Sequence, residues 1–570
     1  TVAGTFAPLR LTVAGGFLTG TGSILTTATS GAGLLVNGGV LSPGTGLNTA
    51  GTLAITGNTA FTLAGVYGVD LASSALADRI NITGALQLGG GLAVNTIGSY
   101  VPTFGTQWTI ANGSAGVTGS FAAVASNLPG VLRPQVATVG NNVILSIIAL
   151  PFANAAAYTS PEQIEVATTL DQIRNTPGGY AALSGLFGSL DATSTGALPT
   201  IMEALTPTNG LIAQGVADGT VGLLASSIVD RNDQLNDGGG HGFDASGAAA
   251  MLNASVLQAT ADPFDAMMMG SAAVVASQEA AAETAARAAG IQLREGWGGF
   301  FDISTMIDST YEALPFPGDA DLSGTVGTLG FDYGFSDGSF AGFAFSYGTS
   351  EADLALPLQS VEADTWAVTA YGGVHEGDSF LNGYVSYSGQ TYDLSRTVPL
   401  LLGTQVLVAT PDGTTFAAGA KMGINLGNTS NVFTPYASID GKWITIDRYT
   451  ETGGSAAMTV DAIDTALVDA RLGLEYTGLF STGENSVLRP RLGVAWVIDV
   501  QSDPNSLNSA FSAFPSVPMT FVGSERDSGW VEYEAGVEFE TTGFGLAVTY
   551  TGGDNGVLNY NTLAGRVSFS

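Results

Sequence analysis

The chain has 570 residues, 16 basic against 49 acidic, for a formal net charge of −33. That balance argues against nucleic acid and anionic headgroups as partners, since both need a basic face. With no Cys and two His, disulfides and thiolate metal sites are excluded, and little room is left for His-based catalysis. Charged residues are only 11% and Gly is 79 of the total, against roughly 25% and 7% in ordinary chains. A mean hydropathy of +0.29 with 9% aromatics argues against disorder.

The chain opens at Thr1-Val-Ala-Gly4, already inside a strand-like pattern and without a basic–apolar leader. It reads as a mature fragment whose upstream part is absent. Residues 1–150 carry five charges, Arg10, Asp70, Asp78, Arg79 and Arg133. Short apolar runs alternate with Gly-containing turns, as in Gly33-Leu-Leu-Val-Asn-Gly-Gly-Val40 and Gly51-Thr-Leu-Ala-Ile-Thr-Gly57. This pattern predicts a right-handed parallel β-solenoid, each rung burying a strip of Val, Leu and Ile. A β-sandwich is the alternative.

Residues 151–266 change to helical spacing with a Gly-rich break. Ser160-Pro161-Glu162 is a helix start, followed by Val166, Ala167, Leu170 and Ile173 on one face. A second helical stretch runs over 211–229. A third, 267–294, is Ala-rich and carries a Glu283–Arg287 pair at i,i+4 spacing, with Arg294 at its end. It is long enough for a bilayer core, too polar to face lipid, and suited to a narrow polar channel.

Residues 295–570 alternate with period 2. Leu492, Val494, Trp496 and Ile498 oppose Arg489, Arg491 and Gly493; Val531, Tyr533, Val537 and Phe539 oppose Glu532, Glu534, Glu538 and Glu540. Twelve strands are predicted: 296–306, 325–335, 339–351, 361–374, 379–393, 414–427, 431–446, 465–479, 486–501, 528–541, 543–552 and 558–570. They exceed the usual 5 or 6 residues or so. Connections alternate between long (307–324, 352–360, 394–413, 447–464, 502–527, with a shorter one at 553–557) and short. A soluble sheet has no reason to sort its loops this way, whereas a transmembrane barrel does.

The whole chain resembles the C-terminal part of a Gram-negative autotransporter, a type V secretion protein. The resemblance rests on Asn37-Gly-Gly-Val-Leu-Ser-Pro-Gly44, Gly51-Thr-Leu-Ala-Ile-Thr-Gly57, Tyr67-Gly-Val-Asp70, Asp78-Arg-Ile-Asn-Ile-Thr-Gly84, Gly105-Thr-Gln-Trp-Thr-Ile110 and Gly119-Ser-Phe121. It also rests on the twelve strands of 295–570. The resemblance implies a β-helical passenger end (1–150), a linker (151–266), a pore helix (267–294) and a translocator barrel (295–570). The barrel would insert in the outer membrane and support export and surface display of its passenger. Implied partners are outer-membrane lipid, the barrel-assembly machinery and periplasmic chaperones; the chain is expected to be a monomer. Two features depart from the family. Its members often end on an aromatic residue, where this sequence has Phe569-Ser570. Some cleave themselves at an Asn–Asn pair in the pore helix, and 267–294 contain no Asn.

No catalytic, cofactor or metal site is read from the sequence. His241 lies in a Gly-rich break and His375 in a turn, and neither has a triad context. The candidate site is the inward face of the barrel: Lys421, Asp469, Arg471, Glu475, Arg489, Arg491, Glu532, Glu534, Glu538 and Glu540. Glu283, Arg287 and Arg294 are the candidate contacts from the pore helix. A surface adhesin and a porin-like channel are the competing functions.

Overall fold

The computed structural model describes residues 1–236, 296–314, 319–335, 338–355, 358–428, 430–483, 486–503, 505–541 and 544–569. It contains two compact units, Thr1–Met202 with Pro399–Thr404, and Glu203–Val398 with Gln405–Ser570. The segment 267–294, with Glu283, Arg287 and Arg294, lies outside the described residues.

In the first unit, short strands stack in parallel on three faces. Thr52–Thr56, Thr59–Phe61 and Val66–Leu71 form one rung, and Arg79–Ile82, Leu86–Leu88 and Gly91–Thr96 form the next. Leu53 lies beside Ile80, and Val69 beside Val94, so like residues stack into one buried column. Every rung pairs with its neighbours in parallel, which is a solenoid and not a sandwich. Gly90 turns the chain at φ +62°, and a Cβ there would strike the carbonyls of Thr62 and Gly65 on the rung below. The stack ends where Asn142–Ala149 adds antiparallel to Gln107–Gly113 and pairs with Leu132–Val139. That hairpin extends the seven-stranded face beyond its parallel stack.

Helices follow. α1 (Pro161–Asn175) starts where Ser160 Oγ accepts from the Gln163 N–H at 3.2 Å, and it buries Val166, Ala167, Leu170 and Ile173. α2 is Gly179–Ala182 and α3 is Ser184–Ala192. Arg174 of α1 pairs with Asp191 of α3 and lies over the Phe152 ring at 4.1 Å. α4 (Leu198–Leu205) ends before Pro207, and α5 (Thr208–Asn236) begins after it.

The second unit is a closed antiparallel barrel of twelve long strands. They are β1 (Gly296–Tyr311), β2 (Ala320–Gly334), β3 (Phe340–Leu354), β4 (Gln359–Glu376), β5 (Ser379–Val398) and β6 (Asp412–Ile424). The rest are β7 (Asn431–Ile446), β8 (Ile463–Gly478), β9 (Ser486–Ser502), β10 (Gly529–Thr541), β11 (Phe544–Asp554) and β12 (Leu558–Phe569). Pairing of Phe301 with Val567 joins β1 to β12 and closes the ring. The alternation is inside out relative to a soluble sheet. Phe345, Tyr347, Trp366, Leu472 and Trp496 are exposed, while Thr328, Asp332, Lys421 and Glu475 are buried. Exposure of the apolar face is what period 2 alone left undecided.

Three connections expected to be long are mostly strand; in 394–413, β5 runs to Val398 and pairs with a further strand, Gln405–Ala409. β1–β2 leaves only 312–319 and β3–β4 only 355–358. Outward residues there are Asp321, Ser323, Glu351 and Asp353, and Ser323 Oγ donates to Glu351 at 3.1 Å. The ladder runs on where its outer face turns polar, so the apolar pattern stops before the strand does. The connections 447–462 and 503–528 stay long and contribute a four-stranded sheet of Tyr449–Thr450, Met458–Val460, Ser506–Phe511 and Met519–Val522.

One buried carboxyl gives the solenoid a pH dependence. Asp78 accepts from Gly51 N–H at 2.8 Å and Asp70 N–H at 3.1 Å, yet burial pushes its carboxyl up to about 8. The folded state then holds a proton that the unfolded chain releases above its ordinary pKa. Solenoid stability is therefore greatest at low pH and falls as pH rises from about 4 to about 8. Calorimetry of the complete chain should show the solenoid transition moving down over that window. Asp78→Asn should flatten the slope; an unchanged slope would contradict the assignment.

Candidate functional site: the barrel lumen

α5 occupies the lumen. At about 1.5 Å per residue its 29 residues span roughly 43 Å, more than the ~30 Å of a bilayer core. The helical stretch Thr195–Asn236, of which α5 is the greater part, is apolar enough by composition to cross a membrane, yet α5 is buried among the barrel strands. Its glycines allow the fit. A Cβ on Gly215 would run into the Tyr311 ring, and one on Gly219 would sit 3.1 Å from Met306 Sδ. Each Gly costs a helix about 1 kcal/mol against Ala. Here the cost is offset by letting α5 lie directly against β1–β5.

The four charged residues of α5, Asp218, Asp230, Arg231 and Asp233, each meet a counter-charge on the wall. Arg231 donates from Nε and Nη2 to both oxygens of Asp332, at 2.8 and 2.9 Å, and Tyr371 Oη donates to the same carboxylate. Asp233 accepts from Lys421 Nζ at 2.8 Å, and Lys421 also reaches Glu475 at 2.6 Å. Asp218 accepts from Lys442 at 2.5 Å. Arg566 lies 3.6 Å from Asp230 and 3.2 Å from Asp302, and donates to the Ser227 carbonyl at 2.9 Å. Gln234 donates to Glu538 and to Ser568. At the other end, the Asn209 N–H donates to Gln359 Oε1 at 2.9 Å. The helix therefore runs from the long-loop rim to the short-turn end.

Between α5 and the wall from β5 to β12 lies a cavity of about 190 Å³. Tyr384, Lys421, Asp440, Lys442, Glu532 and Glu534 are among its lining residues. The wall charges are mostly paired with each other. Arg471 reaches Asp440 at 2.7 Å and Glu532 at 3.1 Å; Arg489 reaches Glu540 at 2.9 Å; Arg526 reaches Asp469 at 3.1 Å. Arg491 lies 3.8 Å from Asp233 and 3.9 Å from Glu534. The cavity is therefore lined by an excess of acidic side chains, many of them fixed in ion pairs.

All ten inward residues named from the sequence take part in these contacts. Four of them meet α5: Lys421, Glu538 and Arg491 directly, and Glu475 through Lys421. The other six pair mainly across the wall. Sequence reasoning missed Asp218, Asp230, Arg231, Asp233 and Gln234, because the helical stretch 211–229 was read as linker. It also passed over Asp302, Arg396, Glu451 and Arg566. A signal was present: a Gly-rich apolar helix whose last turns carry Asp230, Arg231 and Asp233 has no use for those charges against lipid.

Residues 316–551 match the family model "Autotransporter beta-domain". Among solved structures, the chain is similar to the translocator domain of autotransporter NalP from Neisseria meningitidis. The identity is 14% and the TM-score 0.38, over 49% of this chain and 89% of that one. It is similar to the beta domain of the Bordetella autotransporter BrkA at 15% identity and TM-score 0.36, over 48% and 99%. It is similar to the transport unit of AIDA-I from Escherichia coli at 13% and 0.34, over 48% and 90%. No curated protein matches the chain. TM-scores this low add nothing to what the family match and the closed twelve-strand ring already carry. The barrel of this chain is an autotransporter β-domain, a translocator of the bacterial outer membrane.

Proposed function

We propose that the barrel exports the chain N-terminal to it and then keeps that chain attached, with α5 as the stem in the lumen and the solenoid of 1–150 displayed at the cell surface. The observation that carries this reading is the direction of α5. Its N-terminal end meets the rim with long loops and its C-terminal end the side with short turns. Outer-membrane barrels put short turns in the periplasm and long loops outside. A chain threaded this way leaves its N-terminal part outside. Insertion through the barrel-assembly machinery with the help of periplasmic chaperones belongs to the same reading, as does a monomeric state. A porin-like role is disfavoured by a helix that runs the length of the lumen, and a passenger that acts as an adhesin is compatible with it.

The chain has no Cys, so a single introduced thiol reports its own location. Val139 is 62% exposed. On intact cells, Val139→Cys in the complete chain should react with a membrane-impermeant maleimide; no reaction with a folded barrel would sink the display reading. In planar bilayers the intact chain should conduct poorly, and a large steady conductance would favour the channel.

The ion pairs should hold the stem. Arg231 and Asp332 are both buried, so Asp332→Asn leaves a guanidinium without its counter-charge, at a cost of about 3–5 kcal/mol. The heat-modifiable gel shift of the barrel should then occur at lower temperature. Arg231→Met with Asp332→Leu, which removes both charges, should recover most of the loss.

A further inference from the structure

At the rim, a single side chain gathers three parts of the molecule. Arg396, near the end of β5, is completely buried. Its Nε and Nη2 donate to the two oxygens of Glu451 in the 447–462 loop, both at 2.6 Å. Nη2 also donates to the Ala456 carbonyl at 3.0 Å. Nη1 donates to the carbonyls of Ala204 and Leu205 at 3.0 and 3.1 Å. All five N–H groups of the guanidinium are thus used. Glu451 is itself held, accepting from Met458 N–H at 2.8 Å.

The two carbonyls on Nη1 close α4, where the last C=O groups of a helix have no partner within it. They are also the negative end of its dipole, which favours a cation. The next residues are gripped as well. Gln359, at the start of β4, donates from Nε2 to the Thr206 carbonyl at 3.1 Å and accepts from the Asn209 N–H at 2.9 Å. Pro207 ends one helix between these two contacts, and α5 begins at Thr208.

This geometry discriminates between chain conformations. In an extended chain, successive carbonyls point to opposite sides, so a single Nη cannot receive two neighbouring ones. In a helix they point the same way, and its last turn leaves them unbonded. We propose that Arg396 and Gln359 form a stop site that binds the C-terminal carbonyls of α4 and the turn after it, and so fixes the point at which the exported chain comes to rest. An extended chain slides past; a chain that ends a helix at Leu205 is caught. The inference rests on the stem reading of α5 and adds where the stem is fastened.

The test uses the complete chain on intact cells, with barrel folding checked by the heat-modifiable shift. Thr206→Cys places a thiol in the clasp, where Thr206 is fully buried. Ile228→Cys places one deep in the lumen, at 1% exposure. Both thiols should resist an impermeant maleimide. Arg396→Gln with Glu451→Gln, which leaves no orphaned charge, should speed labelling of the clasp thiol by about tenfold or more, the worth of one charge-assisted hydrogen bond. The lumen thiol should stay protected. Gln359→Leu should act in the same direction and serves if the double variant does not fold. An unchanged rate at the clasp thiol in a folded variant overturns the stop site while leaving the stem reading intact. So does a clasp thiol that is open from the start while the lumen thiol is closed. Rapid labelling of the lumen thiol in the Ile228→Cys chain, with Arg396 and Glu451 in place, overturns the stem reading, and the stop site with it.

Discussion

Lipid offers no partner to a backbone N–H or C=O, and the rest of the barrel follows from that. A sheet that crosses the bilayer must close on itself, so β1 pairs with β12 and no edge is left. Closure fixes two surfaces of opposite chemistry on alternate residues. The outer one must be apolar, hence Phe345, Trp366 and Trp496 in the open. The inner one is the only place within the membrane where charge is tolerated. A lumen wide enough for one helix must then either hold water or hold that helix.

α5 resolves this by supplying both backbone satisfaction and charge complementarity. As a helix it bonds its own backbone. Its glycines bring it against β1–β5, and its Asp218, Asp230, Arg231 and Asp233 each meet an opposite charge on the wall. Buried ion pairs are poor sources of net stability, because desolvation cancels most of the attraction. They are good at choosing one arrangement among many. A helix displaced by one turn would strand several charges at once, so the pairs define its register more than its affinity. The solenoid obeys a different constraint. Its rungs stack buried, mostly apolar strips, and a charge there is costly, as the raised carboxyl of Asp78 records.

The acidity of the chain acquires a physical meaning in this light. A stacked solenoid admits few charges and a lipid-facing wall admits almost none. What remains goes to helices, lumen and loops. The net charge of −33 is the remainder left by two surfaces that exclude charge for unrelated reasons, and it calls for no cationic substrate.

Local physics was enough for the sequence to determine the strands, their inward and outward faces, and the start of α1 at Ser160. Period 2 is a property of each strand alone, which is why Lys421, Arg471 and Glu532 could be placed inside before their partners were known. Strand ends near 311, 320 and 354 were beyond it, because the ladder outlasts the apolar pattern. Only tertiary structure decided that 208–236 fills the lumen, that Arg231 faces Asp332, and that Arg396 holds the end of α4. Each depends on which wall residue stands opposite, a relation between segments roughly a hundred or more residues apart. Periodicity carries no information about that. A charged residue on a helix reads the same whether it faces water or a buried counter-charge, and the closed ring of strands is what makes the difference.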